Sequence, residues 1–496
     1  MAHIVQKALL VLFMLTVLGA CSGDDSTTIN IEAPSNNSGD AGGGNSGGGD
    51  SSGGGSGDGG TPASCPEGTS EVSEGLCELP QTVSSDLTLS AGVSYLMSDR
   101  VTVGNGNGQL ETNNDGSLDD GSAVQSVTLT IEAGVQVYGK SGTFANLLIT
   151  RGSKIMAMGT ADAPIIFSSD DEGYEGSGEW GGLIIHGYAP HNECAEGGSY
   201  CDIDSEGESG FAGGYDPDDS SGVLRYVVVA EGGYEFSTGN EINGISLVGV
   251  GSGTEMDYIQ VHGNSDDGIE FYGGNVNVKH GVFTNNNDDS VDWDEGYQGN
   301  LQYIIVKQDA SKGEAFEMDT EGSSDGFLSK PTLANVTIIN DKVADRAKYS
   351  LNFKKRSGGF FHNTVVTVAD SSQTAVDTCI NVDGSGSEAL VGSALVINNW
   401  VQDCGQGEGV HGALSGSNVS FDASTVIETD AALDALLSSQ APEAAGLEPL
   451  DWDAINGAYP DSVADGDYLD ATDYIGAVNP DGSDPWWAGW TVSGSL

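Results

Sequence analysis

The chain has 496 residues, and its 74 Asp and Glu against 16 Lys and Arg give a formal net charge of −58 at neutral pH. So negative a body repels nucleic acid and anionic lipid headgroups, which removes both from the candidate partners. Broad acidity also keeps exported proteins soluble in salty surroundings, where salt screens it within a few ångströms. The overall charge therefore names no function by itself.

In chain order, Lys7 precedes an apolar run from Ala8 to Leu18 that ends in Leu18-Gly19-Ala20-Cys21. A run this short with a basic flank predicts a signal peptide over residues 1–20 and not a membrane span. Its last four residues resemble the lipobox of bacterial lipoproteins, in which cleavage exposes a cysteine that is then lipidated. The resemblance implies a lipid anchor on Cys21. With Ser22 following where Asp would retain the protein in the inner membrane, it also implies the outer membrane, at the cell surface. Residues 21–62 are mostly Gly, Ser, Asp and Asn, a flexible tether with a reach of ~35 Å.

The six remaining cysteines form three near pairs, Cys65 with Cys77, Cys194 with Cys201 and Cys379 with Cys404. Three local disulfides in an oxidising compartment are predicted, because no CxxC motif supports a metal site instead. The first pair marks an N-terminal cap over residues 63–82. Further on, ETNNDGSLDDG places Glu111, Asn113, Asp115, Gly116 and Asp119 at calcium-loop positions 1, 3, 5, 6 and 9, with Ser122 where a bidentate Glu is expected. An Asx-rich turn without metal fits the same residues.

Residues 83–425 carry the rhythm of a solenoid. DGIEFYGG from Asp267, DSVDWDEG from Asp289 and EAFEMDTEG from Glu314 repeat one short pattern at intervals of 22 and 25 residues. Period two puts Ile269, Val291 and Phe316 in one inward column and Phe271, Trp293 and Met318 in another. NGISLVG from Asn243 and YSLNFKK from Tyr349 extend both columns. A second strand column follows in each coil, for example at Tyr258-Ile259-Gln260-Val261 and Tyr303-Ile304-Ile305-Val306. Two strand columns without a helical pattern predict an all-β, single-stranded parallel β-helix.

Coils stacked ~4.8 Å apart turn the outward acids into neighbours. Asp267, Asp289 and Glu314 form one ladder, Glu270, Asp292 and Glu317 a second, and Asp294 with Asp319 a third. Two charges at that separation repel by ~3.5 kcal/mol at an effective dielectric of ~20. Such a face calls for cations or salt, and one reading of the clustered hard oxygen ligands is Ca²⁺ as the cofactor. After residue 425 the repeats stop, and residues 426–496 read as a capping segment in which TDAALDALLSSQ is helix-forming. Trp452, Trp486, Trp487 and Trp490 are expected over the open hydrophobic end of the solenoid, with a sugar-stacking platform as the other reading.

GEWGGLIIHGYAP, the NEINGISLVGVGSGTEMDYIQVHGNSDDGIEFYGG run, TDYIGAV and WWAGWT resemble a family of exported bacterial right-handed parallel β-helix proteins, many of them lipoproteins. The resemblance covers Asp86 to Trp490. Its architecture is similar to that of pectate lyases and polygalacturonases, which bind acidic polysaccharide along the outer face of the helix. It implies a surface-tethered binding or structural protein whose partner is an extracellular polysaccharide or an outer-membrane protein. The alternative is an enzyme of the same architecture. A lyase needs a base beside Ca²⁺, and Lys354, Lys355 and Arg356 are the candidates, although they also suit counter-ions closing an acidic column. A hydrolase needs two carboxylates across a glycosidic bond, and Asp266 with Asp267 or Asp288 with Asp289 resemble the paired aspartates of polygalacturonases. The other polygalacturonase signatures are absent, and His262 and His280 read as turn or outward-strand residues.

Overall fold

The computed structural model describes residues 64–496 apart from 111–112, 114, 195–197, 205, 238–240, 309–312, 322–326, 341–346, 369–375, 385, 413–425, 429–438 and 458–467. Cys21, the leader, the tether and Glu111 lie outside the described residues, as does nearly all of TDAALDALLSSQ. No described helix is long and apolar enough to cross a membrane.

The described strands stack into a 16-stranded and an 11-stranded sheet, almost entirely parallel. They wind as successive coils of a β-helix. In the second sheet Ile245, Ile269, Val291, Phe316 and Leu351 pair in register, and so do Leu247, Phe271, Trp293, Met318 and Phe353. All ten side chains are 0 % exposed. Each such burial stabilises by roughly 1.5–3 kcal/mol, and the inward columns merge into one continuous core from Cys77 to Cys404.

The reading of two strand columns per coil is corrected to three faces. Early on, Lys154–Met158 and Ile165–Ser169 are separate strands, yet both pair with the single strand Gly222–Ala230. From that coil onward two faces are written in one long strand that turns a corner at a single residue. Tyr226, Tyr258, His280, Tyr303, Asn335, Asn363 and Asn399 occupy the corner with φ between 49° and 59°. A left-handed non-Gly residue costs roughly 1–2 kcal/mol, and the corner offsets this in two ways. The rings stack, Tyr226 on Tyr258 at 4.2 Å, Tyr258 on His280 at 4.2 Å and His280 on Tyr303 at 4.9 Å, each pair contributing about 0.5–1.5 kcal/mol. The asparagines tolerate the conformation, and Asn335 Nδ2 donates to the carbonyls of Tyr474 and Gly476 at 3.1 Å each.

Those carbonyls belong to the C-terminal segment, which runs along this corner. Leu447 and Ile475 pack on Val365 and Val401, Trp452 and Leu469 on Ala334, and Trp486 and Trp490 on Val228, Val282 and Ile305. The tryptophans therefore cover the flank rather than the open end. Trp452, Trp486 and Trp490 are buried and Trp487 packs at the edge of the same cluster, so no sugar platform is formed. The physical reason is that the outward residues of the bent strands are themselves apolar and need a cover.

All three disulfides are formed as paired in the sequence. Cys379–Cys404 joins neighbouring coils, and Cys194–Cys201 pins a layer in which Cys201, Ile203 and Ala212 pack on the outer face of Val248 and Tyr272. Arg151, fully buried, anchors this layer by donating to the carbonyls of Gly106, Gly108 and Cys201 and pairing with Asp202 at 3.0 Å. Beyond it, the outer face of the second sheet is acidic.

Candidate functional site

Three short strands build the acidic face, Ile269–Tyr272, Val291–Asp294 and Phe316–Met318. Because alternate residues face opposite ways, each apolar pair inside leaves one acid outside. Glu270, Asp292 and Glu317 are in register as the second ladder predicts. Upstream the row begins at Ser246, and downstream it continues to Asn352 and Asn381. It is therefore charged over three coils only.

The first ladder is tied into the backbone. Asp267 Oδ1 accepts the N–H of Asp289 at 2.9 Å, and Asp289 Oδ1 accepts the N–H of Glu314. These bonds cross from coil to coil at the head of the strands. One member of each aspartate pair, Asp267 and Asp289, thus also holds the next coil. Asp319 follows Met318, and its N–H donates to the carbonyl of Trp293 at 2.9 Å, which sets it beside Asp294 as the third ladder requires.

Two groups of carboxylates converge tightly. Asp267, Glu270 and Asp292 each bring an oxygen within 4.8 Å of the other two, and so do Asp289, Asp292 and Glu317. Asp292 belongs to both. It is buried, and its Oδ1 makes no hydrogen bond among the described residues. A third group, Asp266, Asp267 and Asp288, lies at the rim, with Asp288 exposed. Burial, then the neighbouring charges, pushes Asp267, Asp289, Asp292 and Asp294 well above the usual carboxylate range. Glu314 and Asp319 are raised by burial as well.

The basic candidates are all engaged. Lys354 donates to Glu317, and Lys355 pairs with Asp319 at 2.9 Å and with Glu321. Burial pulls the Lys354 ammonium down, but the hydrogen bond and charge of Glu317 outweigh it and hold the group above the ordinary lysine value. Lys355 is raised in the same way by Glu321 and Asp319. The carbonyl of Arg356 accepts from Thr320 Oγ1 at 3.4 Å. His262 bonds Thr284 through Nδ1 at 2.8 Å, and His280 bonds Asp257 at 2.7 Å from within the aromatic corner. Both histidines are structural.

At the upstream loop, Asp115 Oδ1 accepts from the N–H of Ser117 at 3.0 Å and from its hydroxyl, and Asn113 donates to the carbonyl of Leu118. Asp119 is exposed, and the converging carboxylate groups among the described residues do not include it. These side chains close an Asx turn.

Several contributors escape a repeat-based reading. Asn243 Nδ2 donates to Glu270 at 2.5 Å and to Tyr272 Oη at 3.2 Å, and the Tyr272 hydroxyl also donates to Glu270. His191 bonds Glu295 at 2.5 Å and Asn192 donates to the carbonyl of Glu321, which clamps the 188–221 layer to the edge of the acidic face. The acid ladders do not signal these contacts, because Asn243 stands one coil before Asp267 without being an acid and His191 and Asn192 come from the inserted layer.

A family model described as a pectate-lyase like beta helix domain matches residues 103–432. No curated protein and no solved structure matches the chain.

Proposed function

Because the chain belongs to the family of pectate-lyase-like β-helix domains, we propose that it binds divalent cations, Ca²⁺ first among them, on its acidic rows, and through them an acidic polysaccharide outside the cell. The family architecture is consistent with a polysaccharide-related role. The observation that carries the cation reading is Asp292, shared by two converging carboxylate groups, with a buried Oδ1 that makes no hydrogen bond among the described residues. The donors are all carboxylate oxygens, a hard set suited to an ion that takes six to eight oxygens, and less suited to Mg²⁺, which gives up its waters reluctantly. Asp267, Glu270, Asp289, Asp292 and Glu317 would hold the cation. Its charge would turn a face that repels uronate carboxylates into one that attracts them. The leader, Cys21 and the tether support a lipid-anchored protein of the outer membrane whose solenoid stands off the surface.

Thermal melting tests the proposal. A ligand that binds the native state alone stabilises by about 2.7 kcal/mol at a hundredfold excess over its Kd. Millimolar Ca²⁺ is expected to raise Tm above the value in chelator at matched ionic strength, and Mg²⁺ to raise it less. Coincident melts in Ca²⁺ and chelator would reduce the rows to solvated acid faces.

A polysaccharide lyase is the second reading, and Lys354 separates the two. Proton abstraction needs a neutral base, whereas Lys354 is held protonated by Glu317 and Lys355 is shared between two carboxylates. Uronate polymers incubated with the protein and Ca²⁺ are therefore expected to show no ultraviolet absorbance from unsaturated ends. A turnover signal that disappears with Lys354→Ala would favour the lyase.

A further inference from the structure

We infer that the acidic row is a two-cation centre bridged by Asp292, with the Lys354 ammonium built in as the cation that closes it. The inference rests on the cation reading above and adds its stoichiometry and its internal regulator.

The row is bounded at both ends. Upstream, Glu270 is met by neutral donors, the Asn243 amide at 2.5 Å and the Tyr272 hydroxyl, and the next residue in register is Ser246. Downstream, Glu317 is met by Lys354, and the next residues in register are Asn352 and Asn381, whose amides bond each other at 2.8 Å. Between these ends lie two coil-to-coil steps. The first is flanked by Asp267, Glu270 and Asp292, and the second by Asp289, Asp292 and Glu317. One carboxylate is common to both, and its Oδ1 has no hydrogen-bond partner among the described residues. A carboxylate with an uncommitted oxygen between two equivalent steps has the chemistry of a bridge, one oxygen to each side.

Charge agrees with this count. The two groups together contain five carboxylates, Asp267, Glu270, Asp289, Asp292 and Glu317, and Lys354 bonds one of them. Fully ionised, this set carries −4, which two divalent cations neutralise. A third divalent ion at the Glu317 to Asn352 step would meet one carboxylate, one amide and the ammonium itself. Lys354 therefore limits the row to two ions. The rim group of Asp266, Asp267 and Asp288 is left out of this count because Asp288 is open to water.

Equilibrium dialysis with ⁴⁵Ca²⁺ at fixed ionic strength reads the stoichiometry directly on the full chain. Wild type is expected to bind two ions in the rows. Asp292→Asn keeps the side-chain shape and is expected to weaken both by more than tenfold, whereas Asp267→Asn weakens one and spares the other. Lys354→Gln is expected either to admit a third ion or to tighten the second by about tenfold. Far-UV circular dichroism checks that each variant is folded, and Asp292→Ser takes the place of Asp292→Asn, with the same expectation, if the latter is not. One bound ion in wild type, or loss of only one in folded Asp292→Asn, would overturn the bridge while leaving the cation reading intact. An unchanged Lys354→Gln would overturn its role as the closing cation. No bound ion in wild type would overturn the cation reading itself.

Discussion

Glu231 offers the sharpest test of how this solenoid treats a buried charge. It follows Ala230 at the end of the bent strand, is 2 % exposed, and accepts the N–H of Gly176 at 3.3 Å, while its Oε2 has no hydrogen-bond partner among the described residues. Glu179 and Asp171 face it with like charge, Tyr174 lies within range of that charge, and its own N–H is spent on the carbonyl of His262. Burial above all, then Glu179 and Asp171, pushes its carboxyl from 4.5 up to about 7. Below pH 4.5 the folded and unfolded chains both hold the proton, and Glu231 costs nothing. As pH rises from 4.5 to 7 the unfolded chain ionises first and stability is lost. Above 7 the penalty is constant, and the gap between the two values at about 1.36 kcal/mol per pH unit makes it roughly 3 kcal/mol. Glu231→Gln removes the titration, keeps the shape, and lets the amide donate toward Glu179. Urea unfolding is expected to show the variant more stable than wild type by roughly 3 kcal/mol at pH 8 and by less than about 1 kcal/mol at pH 5. An equal difference at both pH values would show that Glu231 does not hold its proton in the folded protein.

Two further outcomes follow from covalent features. Cys21→Ala is expected to release the protein from membranes into the soluble fraction, and a variant still extracted with lipid would refute the anchor. Replacing both Cys379 and Cys404 by Ala opens a loop of 25 residues between adjacent coils. A stability loss of about 3.5 kcal/mol is expected from loop entropy, measured by urea unfolding, and an unchanged midpoint would show that stacking alone fixes those coils.

What the sequence discloses is whatever repeats at constant spacing. Ile269, Val291 and Phe316 fall in line because one coil is one period, and the register of Glu270, Asp292 and Glu317 comes with them. The corner at Tyr226, Tyr258 and His280 is hidden because a left-handed residue turns the chain without a Gly or Pro, so the apolar alternation runs straight through it. The destination of Trp486 and Trp490 is hidden for another reason. Their site is the outward apolar face of Val228, Val282 and Ile305, in coils more than a hundred residues earlier, and no local pattern joins the two. Asn243 on Glu270 is illegible likewise, being an interaction across one coil between residues of unlike type.

The acids and the bulkiest core residues share the same strands, and this pairing sets the repulsion along the row against the packing beneath it. Trp293 lies inside between Asp292 and Asp294 outside, and it meets Phe316 at 6.2 Å and Phe361 at 6.3 Å, while Phe361 in turn meets Phe353 at 5.7 Å. Each repelling step along the row costs about 3.5 kcal/mol at an effective dielectric of ~20 with both groups ionised, and raised carboxyl pKa values lower the ionised fraction. Each buried aromatic returns roughly 1.5–3 kcal/mol, with about 0.5–1.5 kcal/mol more per edge contact. The two scales are comparable, so the coils are expected to hold together in chelator. Cation binding then adds to the stability of an existing fold instead of creating one. In chelator the protein is therefore expected to melt in a single cooperative transition at lower temperature, with native far-UV circular dichroism below it, and a chelated protein lacking β-structure would show that the aromatic layer is too weak to carry the charge above it.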